Sequence, residues 1–306
     1  MAIEPEVLVD PVSLEIFRSA LTAIAEEMGA VLTRSGYSPN IKERRDFSCA
    51  LFDRQGRLLA QAAHIPVHLG AMPDSVAAAL AAFDSFAPGD VVALNDPFAG
   101  GTHLPDITLI SPIYVSVEGE SVLAGFAANR AHHADVGGMS AGSMPVASEI
   151  YQEGVIIPPI KLWEAGQPNR AALALLLRNV RTPDERRGDL TAQVAANRTA
   201  ERRLQELVER YGLATVEAHG EALIAYAERI TRATIEQIPD GVYRFTDYLD
   251  DDGINGRPLP IVATVTVEGG TLTVDFSGSA PEAEGSINAV ASVAKSAVYY
   301  VVRCLM

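Results

Sequence analysis

Three features of the sequence predict an α+β fold, in which mixed sheets and hairpins lie beside long amphipathic helices. The 306 residues are 48% apolar and 21% charged, which is the composition of a globular chain that can bury a large core. Several long stretches repeat apolar residues every three or four positions, as amphipathic helices do. Other stretches alternate around glycine-bearing turns, as β-hairpins do.

The N-terminal half is predicted to hold two helices and several strands. The Asp10-Pro11 pair is a helix start signal, and a glycine-bearing turn at Arg54–Arg57 joins the first two strands. The predicted elements are a helix from Ser13 to Leu32, strands at Phe47–Asp53 and Leu58–Gln61, a helix from Pro73 to Phe83, and strands at Val91–Leu94, Ile107–Val115 and Val122–Ala128.

The C-terminal half is predicted to be helical first and β-rich afterwards. Helices are expected from Asp184 to Tyr211 and from Val216 to Ile238, followed by a hairpin at Ile261–Val267 and Thr271–Phe276. A helical apolar stripe from Val290 to Leu305 has no capping residue after it, which predicts a chain truncated inside a domain; a docked C-terminal helix is the alternative. The predicted divisions are a metal-site domain at 1–183, a helical segment at 184–239 and a β-rich section at 240–306 that ends in this unfinished helix.

Charge and cysteine content narrow the class of protein. The 24 Lys and Arg residues against 39 Asp and Glu residues give a net charge of -15, which repels nucleic acid and anionic membranes. The two cysteines cannot form a disulfide framework, the N-terminus lacks the pattern of a signal peptide, and no apolar run approaches the roughly 20 residues of a membrane span. A cytoplasmic protein is therefore expected.

A candidate metal site lies in an irregular loop rich in glycine and proline, which runs from Asn95 to Asp106. Five of the six histidines fall between His64 and His133. His103 and Asp106 are three residues apart around a proline, so one bend can aim both side chains at a single ion. Imidazole and carboxylate ligands suit Zn, Mn or Fe, and three protein ligands leave positions open for water or substrate.

The third ligand is expected from the histidine pair His132-His133. If the two strands after Asp106 pair with each other, this pair arrives at the same end of the sheet as His103. Either histidine is suitable at this point. The alternative interpretation is a hydrogen-bonded histidine and carboxylate with no metal, beside glycines that merely form turns.

Other polar residues are weaker candidates for substrate binding or proton transfer. His64 and His68 are candidate acids or bases, or structural hydrogen-bonding groups, and Glu149 and Glu153 offer a carboxylate near the metal or a solvated face. The candidates for substrate binding, each with a structural alternative as an ion pair or a turn former, are Arg45, Asp46, Asn95, Asp96, Gly100, Gly101, Gly137 and Gly138. Neither a phosphate-binding loop nor a serine nucleophile elbow occurs in the sequence.

The two loops closely resemble the hydantoinase B/oxoprolinase family. The matching loop segments are Asn95-Asp-Pro-Phe-Ala-Gly-Gly-Thr-His-Leu-Pro-Asp106 and Arg130-Ala-His-His-Ala-Asp-Val-Gly-Gly138. Segments elsewhere agree in the same order, among them Arg45–Asp53, Glu153–Pro159, Arg187–Gln193 and Asp275–Ser279. The resemblance covers almost the whole chain, and family chains normally continue beyond this length.

This resemblance implies a division of labour between two subunits. A hydantoinase A-like partner uses ATP to phosphorylate the substrate, and the present subunit completes the reaction at a divalent metal, within a hetero-oligomer. By similarity, His103, Asp106 and His132 match the metal-binding positions, while His133 and Asp135 support the metal or act as acid and base.

The family's members catalyse different reactions, so several functions remain open. The leading expectation is an ATP-dependent hydrolase of cyclic amides, of the N-methylhydantoinase or 5-oxoprolinase type. The alternatives are a subunit of a ketone carboxylase of the acetone or acetophenone carboxylase type, and a non-catalytic assembly subunit. Two histidines and one carboxylate also form the metal site of non-haem iron oxygenases, although the long helices argue against an oxygenase scaffold.

Overall fold

The computed structural model describes residues 9–63 and 65–306, and the fold is α+β, as expected. The helices of the described residues are α1 (Pro11–Ser35), α2 (Pro39–Lys42), α3 (His68–Ala82), α4 (Ile150–Glu153), α5 (Arg170–Arg178), α6 (Pro183–Tyr211), α7 (Leu213–Ile235) and α8 (Ala291–Leu305). The strands of the same residues are β1 (Phe47–Asp53), β2 (Leu58–Ala63), β3 (Val91–Leu94), β4 (Asp106–Val117), β5 (Glu120–His132), β6 (Ile160–Glu164), β7 (Gln167–Pro168), β8 (Gly241–Leu249), β9 (Leu259–Glu268) and β10 (Thr271–Asp275).

The strands form two antiparallel sheets. The larger has seven strands in the order β2-β1-β5-β4-β3-β6-β7, and the smaller has three in the order β10-β9-β8. The long strands β4 and β5 lie at the centre of the larger sheet and pair in a register that sets Asp106 opposite His132. The expected pairing of the two strands after the candidate metal loop is therefore present.

The first helix begins where the sequence predicted, because its start is capped. The Asp10 carboxylate accepts hydrogen bonds from the backbone N–H groups of Val12 and Ser13, and the Ser13 hydroxyl bonds back to the Asp10 backbone. Such reciprocal capping satisfies donors that a helix N-terminus otherwise leaves unpaired. The predicted hairpin of β1 and β2 and the predicted hairpin of β9 and β10 are also present.

Helix α3 begins earlier than its proline suggests. The sequence predicts a helix that starts at Pro73, but this proline lies inside a helix that begins at His68. A proline within a helix removes one backbone hydrogen bond, and packing of the surrounding turns onto the sheet can offset that cost. Met72 and Val76, on either side of Pro73, are fully buried in the core. The early start brings His68 into the first turn of the helix.

The two faces of the larger sheet are covered by different helices. Alternate residues of β5 point to opposite faces, so Ala127 and Ala131 pack in a core with α1 and α6, whereas Phe126 and Ala128 pack in a core with α3. Helix α6 extends this cover with Leu190 and Val194 against β3 and β4. A residue's parity along β4 or β5 therefore decides which set of helices it meets.

The smaller sheet and α8 enclose an apolar cavity of about 380 Å³. Helix α8 lines it with Val298, Val301, Val302 and Leu305, and strands β9 and β10 line the opposite wall. The predicted C-terminal helix is thus docked through its apolar stripe. Among the described residues, none of the helices combines the length and hydropathy that crossing a bilayer would require.

Candidate metal centre

Three side chains from two neighbouring strand ends and one loop meet at the edge of the larger sheet. Asp106 is the first residue of β4, and His132, its register partner, is the last residue of β5. His103 reaches the same point from the loop that precedes β4. Because Asp106 and His132 are direct cross-strand partners, their side chains project from the same face of the sheet.

The distances within this cluster fit a single bound ion. Asp106 Oδ1 lies 3.0 Å from His103 Nε2 and 3.2 Å from His132 Nδ1, and the two ring nitrogens are 3.2 Å apart. Ligands about 2.0–2.1 Å from one tetrahedral ion lie about 3.3 Å from each other. Two imidazoles and a carboxylate are ligands of Zn, Mn and Fe alike, so the donor set fits a divalent transition metal or zinc.

The charge state of the cluster also suits a cation. Burial alone would raise the pKa of Asp106, but hydrogen bonds from His103, His132 and His68 outweigh burial and hold that pKa well below its usual value. Burial would likewise lower the pKa of His103, but the bond to Asp106 and the charges of Asp106 and Asp46 raise it overall. Asp106 is therefore a carboxylate, the ionised form that binds metals.

The second oxygen of Asp106 is held from behind. Thr102 Oγ1 donates to Asp106 Oδ2 at 2.5 Å, and His68 Nε2 lies 3.4 Å from the same oxygen. His68 Nδ1 in turn lies 2.9 Å from the hydroxyl of Ser48 on β1. These three groups leave Oδ1 directed at the two histidines. Groups that orient ligands in this way are part of most metal sites.

One side of the cluster is open to solvent. The side chains of His103 and His132 are 37% and 12% exposed, whereas that of Asp106 is 3% exposed. Asp46 borders the cluster, because its backbone carbonyl accepts the His132 N–H at 2.9 Å and its charge acts on His103. Glu153, at the end of α4, is also close enough to interact electrostatically with His103, and burial raises the pKa of its carboxyl.

His133 lies on the opposite face of the sheet from the cluster. It follows His132 directly, so the alternation of β5 turns its ring towards α6, where Nε2 lies 2.8 Å from Gln193 Oε1. Gln193 Nε2 donates to Ile107 O and Asn129 Oδ1, which fixes the amide so that its oxygen faces His133. Complete burial lowers the pKa of His133 to about 4, so this histidine is neutral at pH 7. Of the two adjacent histidines, His132 is the one in the cluster.

Asp135 and the neighbouring glycines shape the loop after β5. The Asp135 carboxylate accepts the Gly137 N–H at 3.0 Å and pairs with Arg181 Nη1 at 2.8 Å. Gly137 and Gly138 have positive φ angles of 89° and 78°, and a Cβ on Gly138 would lie 2.5 Å from a backbone oxygen. These contacts give the loop its path, and roles of these residues in substrate binding or proton transfer stay predictions.

The residues proposed to bind substrate in the loop before β4 are also engaged in local structure. Asn95 is buried, and its amide bonds to the backbone of Leu104, Val155 and Ile157 at 2.6–2.9 Å. Asp96 accepts the Phe98 N–H at the start of a 3-10 turn, Pro97–Ala99. A Cβ on Gly100 or Gly101 would lie 2.4–2.5 Å from backbone atoms.

The remaining predicted residues lie nearer the open side or outside the described part of the chain. Arg45 is exposed, with a positive φ of 53°, and it precedes the half-buried Asp46. His64 lies outside the described residues. The substrate-binding roles given to Arg45, Asp46 and the loop residues before β4 stay predictions.

Sequence reasoning missed the residues that hold the cluster in place. Thr102 was available as a hydroxyl four residues before Asp106, but nothing in its spacing indicated a bond to that carboxylate. Ser48 and Gln193 lie 20 and 60 residues from the histidines that they contact. Both fall within segments of the family resemblance, which was the one available indication of a role.

Comparison with known proteins identifies relatives along almost the whole chain. The family model described as hydantoinase B/oxoprolinase matches residues 10–306. A putative D-/L-hydantoinase B-type component of Pseudomonas sp. is 37% identical over 90% of this chain and 48% of its own length. The chain spans between about a quarter and a half of the length of the curated relatives that it matches.

Two solved structures share the fold. The ATP-dependent caprolactamase from Pseudomonas jessenii superposes with a TM-score of 0.87 at 35% identity, over 95% of this chain and 50% of that one. Acetone carboxylase superposes with a TM-score of 0.86 over 96% of this chain and 41% of that one, but at 19% identity this likeness shows the fold alone. The chain belongs to the hydantoinase B/oxoprolinase family.

Proposed function

We propose that this chain is the metal-binding component of an ATP-dependent hydrolase of cyclic amides. The observation that carries the proposal is the cluster of His103, Asp106 and His132, whose ligand atoms lie within 4.8 Å of one another in a member of this family. The caprolactamase, at 35% identity, supports ring-opening amide hydrolysis as the reaction class, because a caprolactam is a cyclic amide.

The proposed ligands of a divalent Zn, Mn or Fe ion are His103, Asp106 and His132. Such an ion polarises a carbonyl or phosphoryl oxygen, or lowers the pKa of bound water towards about 7. Thr102 and His68 would hold the Asp106 carboxylate in its binding orientation. The open side at His103 would admit the substrate.

Proton transfer on the open side would require a group beside the cluster. Glu153 is the carboxyl that best suits this role, since burial raises its pKa and His103 lies near enough to affect it. A raised carboxyl pKa brings an acid or base closer to neutral pH. The sequence predicts acid–base roles for His68 and His133. His68 is buried behind Asp106 and His133 is bonded to Gln193, so we propose that both support the site instead.

A partner would supply the ATP-dependent step. The relative from Pseudomonas sp. is one component of a hydantoinase with several subunits, and the caprolactamase is an ATP-dependent enzyme. We therefore propose that a hydantoinase A-like subunit phosphorylates the amide oxygen, and that the activated ring is opened at the metal of this chain. The carboxylase and assembly-subunit alternatives enter as outcomes of the test.

The site is tested by metal content. The purified chain should retain about one metal ion after dialysis, and His103→Ala and His132→Ala should each lose it. His219→Ala is the matched control, because His219 is also buried but bonds to Thr215 and Ser13, away from the cluster. Metal content that is unchanged in both site variants would overturn the site.

The reaction is tested with the assembled pair of subunits. The chain and its A-type partner are incubated with ATP and cyclic amides, and separately with ATP, ketones and bicarbonate. We expect ring-opened product in the first mixture, lost with His132→Ala. Product in the second mixture alone would establish the carboxylase alternative, and turnover that survives His132→Ala would leave this chain a non-catalytic assembly role.

A further inference from the structure

The C-terminal helix α8 lies against the two segments that carry the candidate metal centre. It packs along α3 through a face that presents Ser292, Lys295 and Ser296, which are spaced to lie on one side of a helix. Its other side lines the apolar cavity beneath the smaller sheet. Helix α8 therefore lies between the cavity and the metal site, although it begins 159 positions after His132.

The first serine bonds to the loop that carries His103. Ser292 Oγ donates to the backbone oxygen of Gly101 at 2.6 Å, and the serine is only 4% exposed. Gly101 directly precedes Thr102, which holds Asp106, and it lies two residues before His103. The bond thus holds the loop immediately upstream of two groups of the site.

The second serine bonds to the turn that carries His68. Ser296 Oγ donates to the carbonyl of Val67 at 2.5 Å and accepts the N–H of Gly70 at 2.9 Å. Those two backbone groups flank His68 on either side. The helices approach so closely here that a Cβ on Gly70 would lie 2.7 Å from the Ser296 backbone nitrogen.

Docking of α8 does not depend on these two hydroxyls alone. Lys295 Nζ lies 2.9 Å from both carboxylate oxygens of Asp74 on α3, in a partly exposed ion pair. The apolar residues along the cavity provide a further contact area. The ion pair holds helix to helix, whereas the serines bond to the backbone of the loop and turn that bear site residues.

We propose that Ser292 and Ser296 are positioning residues of the metal centre, which makes α8 part of that centre. They fix the Gly101–His103 segment and the His68 turn, so that His103, Thr102 and His68 stand at the distances that orient Asp106. The inference rests on the proposed metal site. It adds that this site is completed by a helix from the opposite end of the chain.

The test uses Co²⁺ as the probe ion, because its visible absorption reports the number and geometry of its ligands. Co²⁺ is titrated into the metal-free full-length chain, and affinity and spectrum are recorded for the wild type, Ser292→Ala and Ser296→Ala. We expect each alanine variant to bind Co²⁺ about tenfold more weakly, with an altered spectrum, because groups that orient ligands have effects of this size. Ser292→Thr keeps the hydroxyl and is expected to restore both.

Lys295→Met is the matched control on the same helix face. It removes the ion pair with Asp74 and lowers the melting temperature, but it is expected to leave Co²⁺ affinity and spectrum unchanged. The inference is overturned if both alanine variants match the wild type within twofold, or if Lys295→Met weakens binding as much as they do. A wild-type chain that binds no Co²⁺ would overturn the proposed function, and this inference with it.

Discussion

His132 and His133 are neighbours in the chain, yet they lie on opposite faces of the larger sheet. The ring of His132 is part of a charged cluster with an open side, beside Asp106 and His103. That of His133 is completely buried against α6, is neutral, and bonds to Gln193. The comparison shows that strand parity gives two identical residues different chemistry: one can bind a metal, and the other holds a helix to the sheet.

The largest expected difference between the two faces is in metal binding. His132→Ala should weaken metal binding by a hundredfold or more, since it removes one of three ligands, and it should change the free energy of unfolding little. His133→Ala should keep the metal but lose about 2–3 kcal/mol of unfolding free energy, because it leaves a cavity and an unpaired Gln193 oxygen. Metal analysis after dialysis and urea unfolding measure the two effects.

Equal metal loss in the two variants would show that the faces are not independent. The matching substitution of His219, a buried histidine bonded to Ser13, controls for the general effect of removing an imidazole.

A second difference concerns stability alone. Gln193→Leu should lower the free energy of unfolding by about 3 kcal/mol, because Ile107 O, Asn129 Oδ1 and His133 would each lose a buried hydrogen bond. Metal affinity should stay within twofold of the wild type. Gln205→Leu is the control on the same helix, since Gln205 accepts the Ser116 N–H at a partly exposed position.

Urea titration and metal titration of the same preparations check this expectation. A Gln193→Leu variant that is as stable as Gln205→Leu would contradict the structural role given to the α6 face.

Most of the fold could be predicted because its elements carry local patterns. The helical stripe of α1, its Asp10 cap and the alternation of β9 and β10 each depend on residues within a few positions of one another. The start of α3 was wrong by five residues, because Pro73 is a start signal by itself and only packing onto the sheet permits it inside the helix.

The candidate site was harder to predict than the elements around it. The spacing of His103 and Asp106 indicated a pair of ligands, and family resemblance favoured His132 over His133. Parity could not decide between the histidines, since the predicted strand stopped at Ala128 whereas β5 continues to His132. The contacts of Ser48 and Ser292 depend on tertiary packing across 20 and 191 residues of chain, for which no local pattern exists.

The smallest expected effect is that of Thr102, which separates orientation of the carboxylate from ligation itself. Thr102→Val keeps the shape of the side chain but removes the hydroxyl that donates to Asp106 Oδ2 at 2.5 Å. Metal affinity should fall about tenfold, because Asp106 keeps its charge and its other contacts but loses one orienting bond. Thr102→Ser retains the donor and should bind metal like the wild type, and competition with a chromophoric chelator measures both affinities. If Thr102→Val bound metal as tightly as Thr102→Ser, His68 alone would suffice to orient Asp106. The open face would then depend on fewer groups than the three that hold Gln193 on the buried one.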